Sequence, residues 1–154
     1  MNRLEQLRQI VDEIVRQQPD KDESRCGFVH LYGVSATCVL LAKKRGLDPE
    51  LCAVAGMLHD ISTYKTGDPT DHAARSAAEA ERILTEIGIF SDAEIALICD
   101  AISRHGAKDE VDGDMAEILK DADVLQHYLY NPGFEPSSAH AQRLKNILAE
   151  LDLS

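Results

Sequence analysis

Apolar side chains recur every third or fourth residue along most of the chain, which is the spacing of one face of an α-helix. The first stripe predicts an amphipathic helix over roughly residues 1–18, and the second predicts a helix that stops at Gly46. No stretch alternates apolar and polar residues as a half-buried strand would. The two stripes consist of Leu4, Leu7, Ile10, Val11 and Ile14, and then of Leu31, Val34, Cys38 and Leu41.

Capping residues predict where the third helix begins and ends. Gly46 suits a left-handed C-cap, so the second helix should end there. Asp48 can cap the next helix, and Pro49 fits its first helical position. This third helix carries a long apolar run and then reaches His59 and Asp60. Two polar side chains therefore stand where the helix should still be buried.

The rest of the chain also shows helical spacing between turn-forming segments. Gly88 predicts a helix end, and Ser91 with Glu94 predicts a capping box. The pattern predicts one compact all-α domain of about seven helices over residues 1–154. The other predicted boundaries are a polar connector at 17–27, a loop at 62–70, a fourth helix at about 71–87, a fifth that ends near 105–106, an acidic loop at 107–114, a sixth helix at about 114–130, and a last helix after a break at 131–138.

Composition narrows the class of protein. The chain has 154 residues, 44% of them apolar and 28% charged, as in a soluble globular domain. No apolar run looks long enough to cross a bilayer, and the N-terminus lacks a signal-peptide pattern, so we expect a cytoplasmic protein with no membrane partner. A net charge of −11 argues against a nucleic acid duplex as partner. The four cysteines form no CxxC pair, so neither a disulfide framework nor a cysteine-rich zinc site is expected.

Histidines and aspartates stand at positions where bundled helices can converge. Imidazole and carboxylate together suit divalent transition metals. Adjacent helical residues point about 100° apart, so His59 and Asp60 can share an ion only if the chain leaves the helix there or if partner helices wrap around the pair. The loop that follows favours the first alternative. The set consists of His30 at the start of the second helix, His59 and Asp60 at the end of the third, His72 at the start of the fourth, His105 at the end of the fifth, and Asp123 midway along the sixth.

The order of these residues resembles the HD-domain superfamily of metal-dependent phosphohydrolases. The resemblance rests on His30, on the HD pair 59–60 within "AGMLHDI", and on Asp123 within "ILKDADVLQ". It covers roughly residues 25 to 130. It implies an all-α fold and a first metal ion held by His30, His59, Asp60 and Asp123. Asp121 competes with Asp123 for the last position, because apolar periodicity leaves both on the flanks of the helix.

Some members of the superfamily hold a second ion, and the resemblance extends to them. It implies that His72 and His105 bind the second ion and that Asp60 bridges the two. We expect Fe, Mn, Co, Ni or Zn, with Mg allowed at the second site. His127 and His140 have no counterpart in the pattern and are interpreted as structural or surface residues.

The chemistry that the resemblance implies is hydrolysis of a small nucleotide or related phosphate ester or anhydride by a metal-activated water. Asp60 would orient that water, and Lys65, which follows the HD pair, is the first choice for a catalytic and phosphate-binding cation. Tyr64 and Tyr128 are the aromatic residues best placed to stack on a base. The other cations expected to bind phosphate are Arg25, Arg75, Arg104 and Lys108.

Two other functions stay open at this level. Some proteins that the chain resembles are di-iron oxygenases, so this chain could be one. It could also be a non-catalytic metal-binding regulatory module. A homodimer through the first or last amphipathic helix is a further expectation.

Overall fold

The computed structural model describes residues 2–154, and this part of the chain contains eight α-helices and no strand. The all-α prediction is confirmed. The helices are α1 (Arg3–Arg16), α2 (Lys21–Arg45), α3 (Pro49–Leu58), α4 (Ile61–Thr66), α5 (His72–Ile87), α6 (Asp92–Arg104), α7 (Asp114–Tyr130) and α8 (Ser138–Glu150).

Helix α2 lies at the centre of the fold and packs along α3 and against α7. The approach of α3 is close because Gly56 has no side chain. A Cβ added at Gly56 would lie 2.8 Å from the Cα of Ser35 and 3.0 Å from the Sγ of Cys38. Ser35 also donates a hydrogen bond of 2.9 Å to the backbone oxygen of Ala53, which links the two helices at this point. This contact brings the end of α3 beside the middle of α2.

The predicted caps are present. Gly46 ends α2 in the left-handed region at φ 75°, and the Asp48 carboxylate accepts hydrogen bonds from the first backbone amides of α3. The capping box of Ser91 and Glu94 begins α6. These local signals placed the limits of α3 and α6 to within a residue or two of the prediction.

Two predicted loops are wrong. The connector expected at 17–27 is mostly helical, because Asp20 caps α2 and the helix already begins at Lys21. His30 therefore lies well inside α2 rather than at its start. The loop expected at 62–70 begins with the short helix α4, which ends at Gly67 with φ 75°. Here the amides of Thr63 and Tyr64 bond back to the Asp60 oxygen, which starts a new turn as soon as α3 has ended.

Helix α2 also changes the expectation about membranes. Its 25 residues include a window of 18 with a mean hydropathy of 1.4, so by length and composition it could cross a bilayer. The expectation of no such run was therefore wrong. Half of that window is buried inside the protein.

Candidate metal centre

His59 and Asp60 lie where the chain turns from α3 into α4. His59 is the C-cap of α3 with helical dihedrals, whereas Asp60 adopts φ −118° and ψ 18° and leaves the helix. This break brings the two neighbouring side chains together, with 3.2 Å between His59 Nε2 and Asp60 Oδ2. Of the two alternatives left by the sequence, the chain therefore leaves the helix at this pair.

His30 reaches the same place from the middle of α2. Its Nε2 lies 3.0 Å from His59 Nε2 and 3.2 Å from Asp60 Oδ2. The other ring nitrogens have fixed roles: His59 Nδ1 donates to the Gly56 backbone oxygen at 2.8 Å, and His30 Nδ1 donates to Gln126 Oε1 at 2.8 Å. Both Nε2 atoms then carry lone pairs that face each other. Such an arrangement needs a cation or a proton between the two rings.

Asp123 closes this group from α7. Its Oδ1 lies 3.4 Å from His30 Nε2 and 3.7 Å from His59 Nε2. Asp121 points elsewhere and forms ion pairs with Arg45 at 2.7 Å and Arg143 at 3.0 Å. Of the two aspartates left open by the sequence, Asp123 is therefore the one that faces the histidines.

The second oxygen of Asp60 faces another pair of histidines. Asp60 Oδ1 lies 3.2 Å from His105 Nε2 and 3.8 Å from His72 Nε2. His105 Nδ1 donates to the Ile102 backbone oxygen at 2.7 Å, which turns its Nε2 toward the carboxylate. One carboxylate thus presents its two oxygens to two separate groups of imidazole nitrogens.

Several of these atoms are buried without a hydrogen bond. Asp60 Oδ1, Asp123 Oδ1 and His105 Nε2 have none within the part of the chain that the structure describes. A buried polar atom without a partner costs about 1–3 kcal/mol, so three of them in one place require an explanation. The donors also fall into groups of three that lie within 4.8 Å, including His30, His59 and Asp60, and Asp60, His72 and His105. The residues present therefore fit divalent transition metal ions.

Without a metal, the buried charges shift each other's protonation. Burial lowers the pKa of the His59 imidazole, but the carboxylates of Asp60 and Asp123 outweigh it and raise that pKa to about 10. Burial opposes the charged form of Asp60, yet His59 and the surrounding imidazoles hold its pKa well below the usual range. The pKa of His105 is lowered, chiefly by burial. A positive charge at this point is what the two carboxylates favour.

Residues 27–128, about two thirds of the chain, match the family model of the HD domain. The chain belongs to the HD-domain family. It is also similar to the crystal structure of a predicted HD superfamily hydrolase from an uncultured Thermotogales bacterium. The two are 21% identical, the match covers 99% of this chain and 96% of that one, and the TM-score is 0.62, so the likeness supports the fold.

Most of the cations predicted from the sequence do not lie at the HD-domain cluster. This name denotes the six residues proposed as ligands and the side chains in contact with them; the six are His30, His59, Asp60, His72, His105 and Asp123. Lys65 pairs with Glu79 at 2.8 Å, so its role as a catalytic and phosphate-binding group stays a prediction. Three arginines form ion pairs with carboxylates near them in sequence and are 39–66% exposed: Arg25 with Asp22, Arg75 with Asp68, and Arg104 with Asp100 and Asp112.

Lys108 does reach the cluster, and its role as a phosphate-binding cation stays a prediction. Its Nζ is buried and donates to Asp123 Oδ2 at 2.8 Å and to the His105 backbone oxygen at 2.6 Å. A buried ammonium bonded in this way is not free for substrate in this structure. Lys108 instead holds one oxygen of Asp123, which leaves Oδ1 facing the histidines.

Two residues of the HD-domain cluster were missed from the sequence. His127 Nε2 lies 3.4 Å from Asp123 Oδ1, and its ring lies 4.8 Å from that of His30, centroid to centroid. The spacing of four residues from Asp123 on one helix was a signal for this contact. Gln126, the acceptor of the His30 hydrogen bond, had no recognisable signal, because its partner is 96 residues away in sequence.

Proposed function

We propose that this HD domain is a metal-dependent phosphohydrolase that cleaves a small nucleotide or related phosphate ester or anhydride. The observation that carries the proposal is the orientation of the two carboxylate oxygens of Asp60. Its Oδ2 faces His30 and His59, and its Oδ1 faces His105 and His72. Such a carboxylate can bridge two cations held by different histidines. We also propose the cytoplasm as its location, as the composition suggested.

The two proposed ions would be held by six side chains. The first would be bound by His30, His59, Asp60 and Asp123, with Asp60 shared. The second would be bound by Asp60, His72 and His105. His72 is 40% exposed, so the second ion would lie nearer to solvent than the first. His59 is fully buried, which fixes the inner wall of the site.

The residues of this chain would prepare the site for phosphate chemistry. Bound divalent ions lower the pKa of water and neutralise charge on phosphoryl oxygens. Asp60, fixed between four imidazoles, would orient the attacking water. The carbonyls of Gly56 and Ile102 keep the Nε2 atoms of His59 and His105 deprotonated and aimed at the centre.

A cleft of about 200 Å³ gives access to this centre. It is lined in part by His30, Tyr64 and His127. The Tyr64 ring lies 6.3 Å from that of His30. We propose that the phosphoryl group enters here, because His30, a proposed ligand of the first ion, forms part of the wall of the cleft.

The two aspartates of "DAD" provide a matched test of the ligands. Asp123→Asn should lower metal content and reduce turnover by about 100-fold or more. Loss of a residue that hydrogen-bonds to a metal ligand costs about 10- to 100-fold, and loss of a ligand itself should cost more. Asp121→Asn should retain metal and activity and lose only some stability, since its carboxylate pairs with arginines. Metal is measured by mass spectrometry after reconstitution. Turnover is measured on nucleotides and dinucleoside polyphosphates with Mn²⁺, Co²⁺, Ni²⁺ or Mg²⁺.

The same screen separates the competing functions. Full metal content and turnover in Asp123→Asn would refute the ligand assignment. One tightly bound ion per chain would argue against the second site. Wild-type protein that holds iron, consumes oxygen and leaves all phosphate compounds intact would refute the phosphohydrolase and favour the oxygenase. Metal binding without any turnover would favour a regulatory module.

A further inference from the structure

A small apolar pocket lies next to the proposed metal centre, in the angle between α7, α8 and the segment that joins them. Its volume is about 140 Å³. Three of its lining residues, Val124, His127 and Tyr128, share one face of α7 because they are spaced by three and four. The segment between the helices and α8 supply the rest, which are Phe134, Pro136, His140 and Leu144.

One side chain connects this pocket with the metal centre. His127 lines the pocket and also the cleft that contains His30. Its Nε2 lies 3.4 Å from Asp123 Oδ1. A ligand with its phosphate in the cleft could therefore place another group of the same molecule on the far side of His127.

The size and chemistry of the pocket indicate what that group is. A cavity of about 150 Å³ accommodates a benzene ring, so this pocket suits one six-membered ring rather than a fused pair. The walls are mostly apolar and include the rings of Tyr128 and Phe134. His140 is part-buried, and burial and the nearby Lys108 lower its pKa. Apolar walls with a few polar groups are typical of sites for small planar ligands.

We propose that this pocket binds a single six-membered heterocycle, the base of a pyrimidine nucleotide whose phosphate lies at the metal centre. The inference rests on the proposed phosphohydrolase function and specifies its substrate class. Phe134, Tyr128 and Leu144 would enclose the ring, and the Tyr128 hydroxyl and His140 would meet its polar edge. Segment 131–137 and α8, which supply the other lining residues, lie beyond the residues matched by the HD-domain family model.

Phe134→Ala is the variant that tests the pocket. Phe134 is 57% exposed, so its loss should leave the fold intact while removing one wall. Leu97→Ala is the matched control, since Leu97 is a 49% exposed apolar residue on α6 that does not line the pocket. The probes are uridine and adenosine for binding to metal-free protein, measured by nuclear magnetic resonance. Uridine 5′-monophosphate and β-glycerophosphate serve as substrates of the Mn²⁺-loaded protein.

We expect wild-type protein and Leu97→Ala to bind uridine better than adenosine. Phe134→Ala should bind uridine about tenfold more weakly, the scale of one lost base–aromatic contact. The same variant should raise KM for the uridine nucleotide about tenfold with little change in kcat, and should raise KM for β-glycerophosphate, which has no ring, by much less.

The binding measurement needs neither metal nor turnover, so it stands even if no phosphate compound is hydrolysed. Failure of hydrolysis alone would overturn the proposed function and leave the ring pocket supported. Equal binding of adenosine and uridine, or absence of uridine binding, would overturn the pocket assignment. An affinity of Phe134→Ala for uridine equal to that of wild type would also overturn it.

Discussion

At the scale of the residue, the geometry of the centre depends on the atoms behind each imidazole. His59 and His105 each donate from Nδ1 to a backbone oxygen three residues earlier, at 2.8 and 2.7 Å. A backbone oxygen can only accept, so the proton of each ring is fixed at Nδ1. His30 differs, because its Nδ1 meets the Gln126 side chain, which can be replaced without altering the backbone. The orientation of His30 is therefore the one that mutation can test directly.

Gln126→Met should weaken metal binding by about 10- to 100-fold, since removing the partner of a ligating histidine has this effect. Gln126→Glu should restore much of the affinity, because a carboxylate also accepts from His30 Nδ1. Affinity is measured by competition with a chelating dye, and thermal unfolding of the metal-free variants serves as the control for folding. Gln126 would not position His30 if metal affinity fell only in proportion to the thermal stability of the metal-free variants, and if Gln126→Glu did not restore that affinity.

Gly33 offers an independent way to disturb the same contact. A Cβ at position 33 would lie 2.9 Å from Gln126 Cγ, so Gly33→Ala should displace the side chain without removing its acceptor. We expect a smaller loss of metal affinity than in Gln126→Met.

At the scale of the element, the sequence predicted the helices from local signals and missed what depends on distant contacts. Apolar stripes and caps located α3 and α6, and the HD pair at the end of α3 was recognised from its unusual place. The choice between Asp121 and Asp123 could not be made locally. It depends on Arg45 and Arg143, which lie on α2 and α8 and hold Asp121 away from the centre.

The hydrogen bond between Lys108 and Asp123 was missed for the same reason. The sequence shows a cation shortly after His105, and nothing local reveals that a buried carboxylate on α7 will accept its hydrogen bond at 2.8 Å. His127 shows the opposite case, since its helical spacing from Asp123 was visible but the pattern of the superfamily did not include it.

The contact between α2 and α3 should be the element-level feature most sensitive to a small change. Gly56→Ala would force a Cβ to within 2.8 Å of the Ser35 backbone, so the helices must separate. We expect a loss of about 1–3 kcal/mol in the free energy of unfolding, only partly offset by the better helix propensity of alanine. Metal affinity should also fall, because His59 lies three residues further along the chain at the end of α3.

Chemical denaturation measures the free energy of unfolding in that variant. Gly133→Ala is a suitable control, because the nearest atom to a Cβ there is at an ordinary 3.5 Å. If Gly56→Ala were as stable as Gly133→Ala, the close packing of α2 and α3 would not be needed to hold the histidines together.

At the scale of the whole molecule, the chain has a net charge of −11, and several of its carboxylates pair with a few cations that are largely removed from solvent. Lys120 is fully buried on α7 and pairs with Asp112 at 2.6 Å and Glu117 at 3.4 Å. Arg143 on α8 pairs with Glu117 at 3.0 Å and also bonds the backbone oxygen of Lys108 at 2.6 Å. Helix α8 is thereby tied to the loop that positions Lys108 against the metal centre. A global property, the resistance to acid, should therefore report on these pairs.

Glu117→Gln should destabilise the protein at neutral pH and lose that effect in acid. Burial opposes ionisation of Glu117, but Arg143 and Lys120 outweigh it and hold its pKa below the ordinary value of 4.5. A lowered pKa in the folded state gives stability that is present above about 4.5 and disappears as the pH falls through the folded-state pKa. We expect a loss of about 1 kcal/mol at pH 7, or a Tm lower by about 2–4 °C, and convergence with wild type as the pH falls well below about 4.5. Glu135→Gln, at an exposed position with no ion pair among residues 2–154, should match wild type at every pH. A Tm difference for Glu117→Gln that stayed constant with pH would show that lost packing, rather than lost charge, causes the effect.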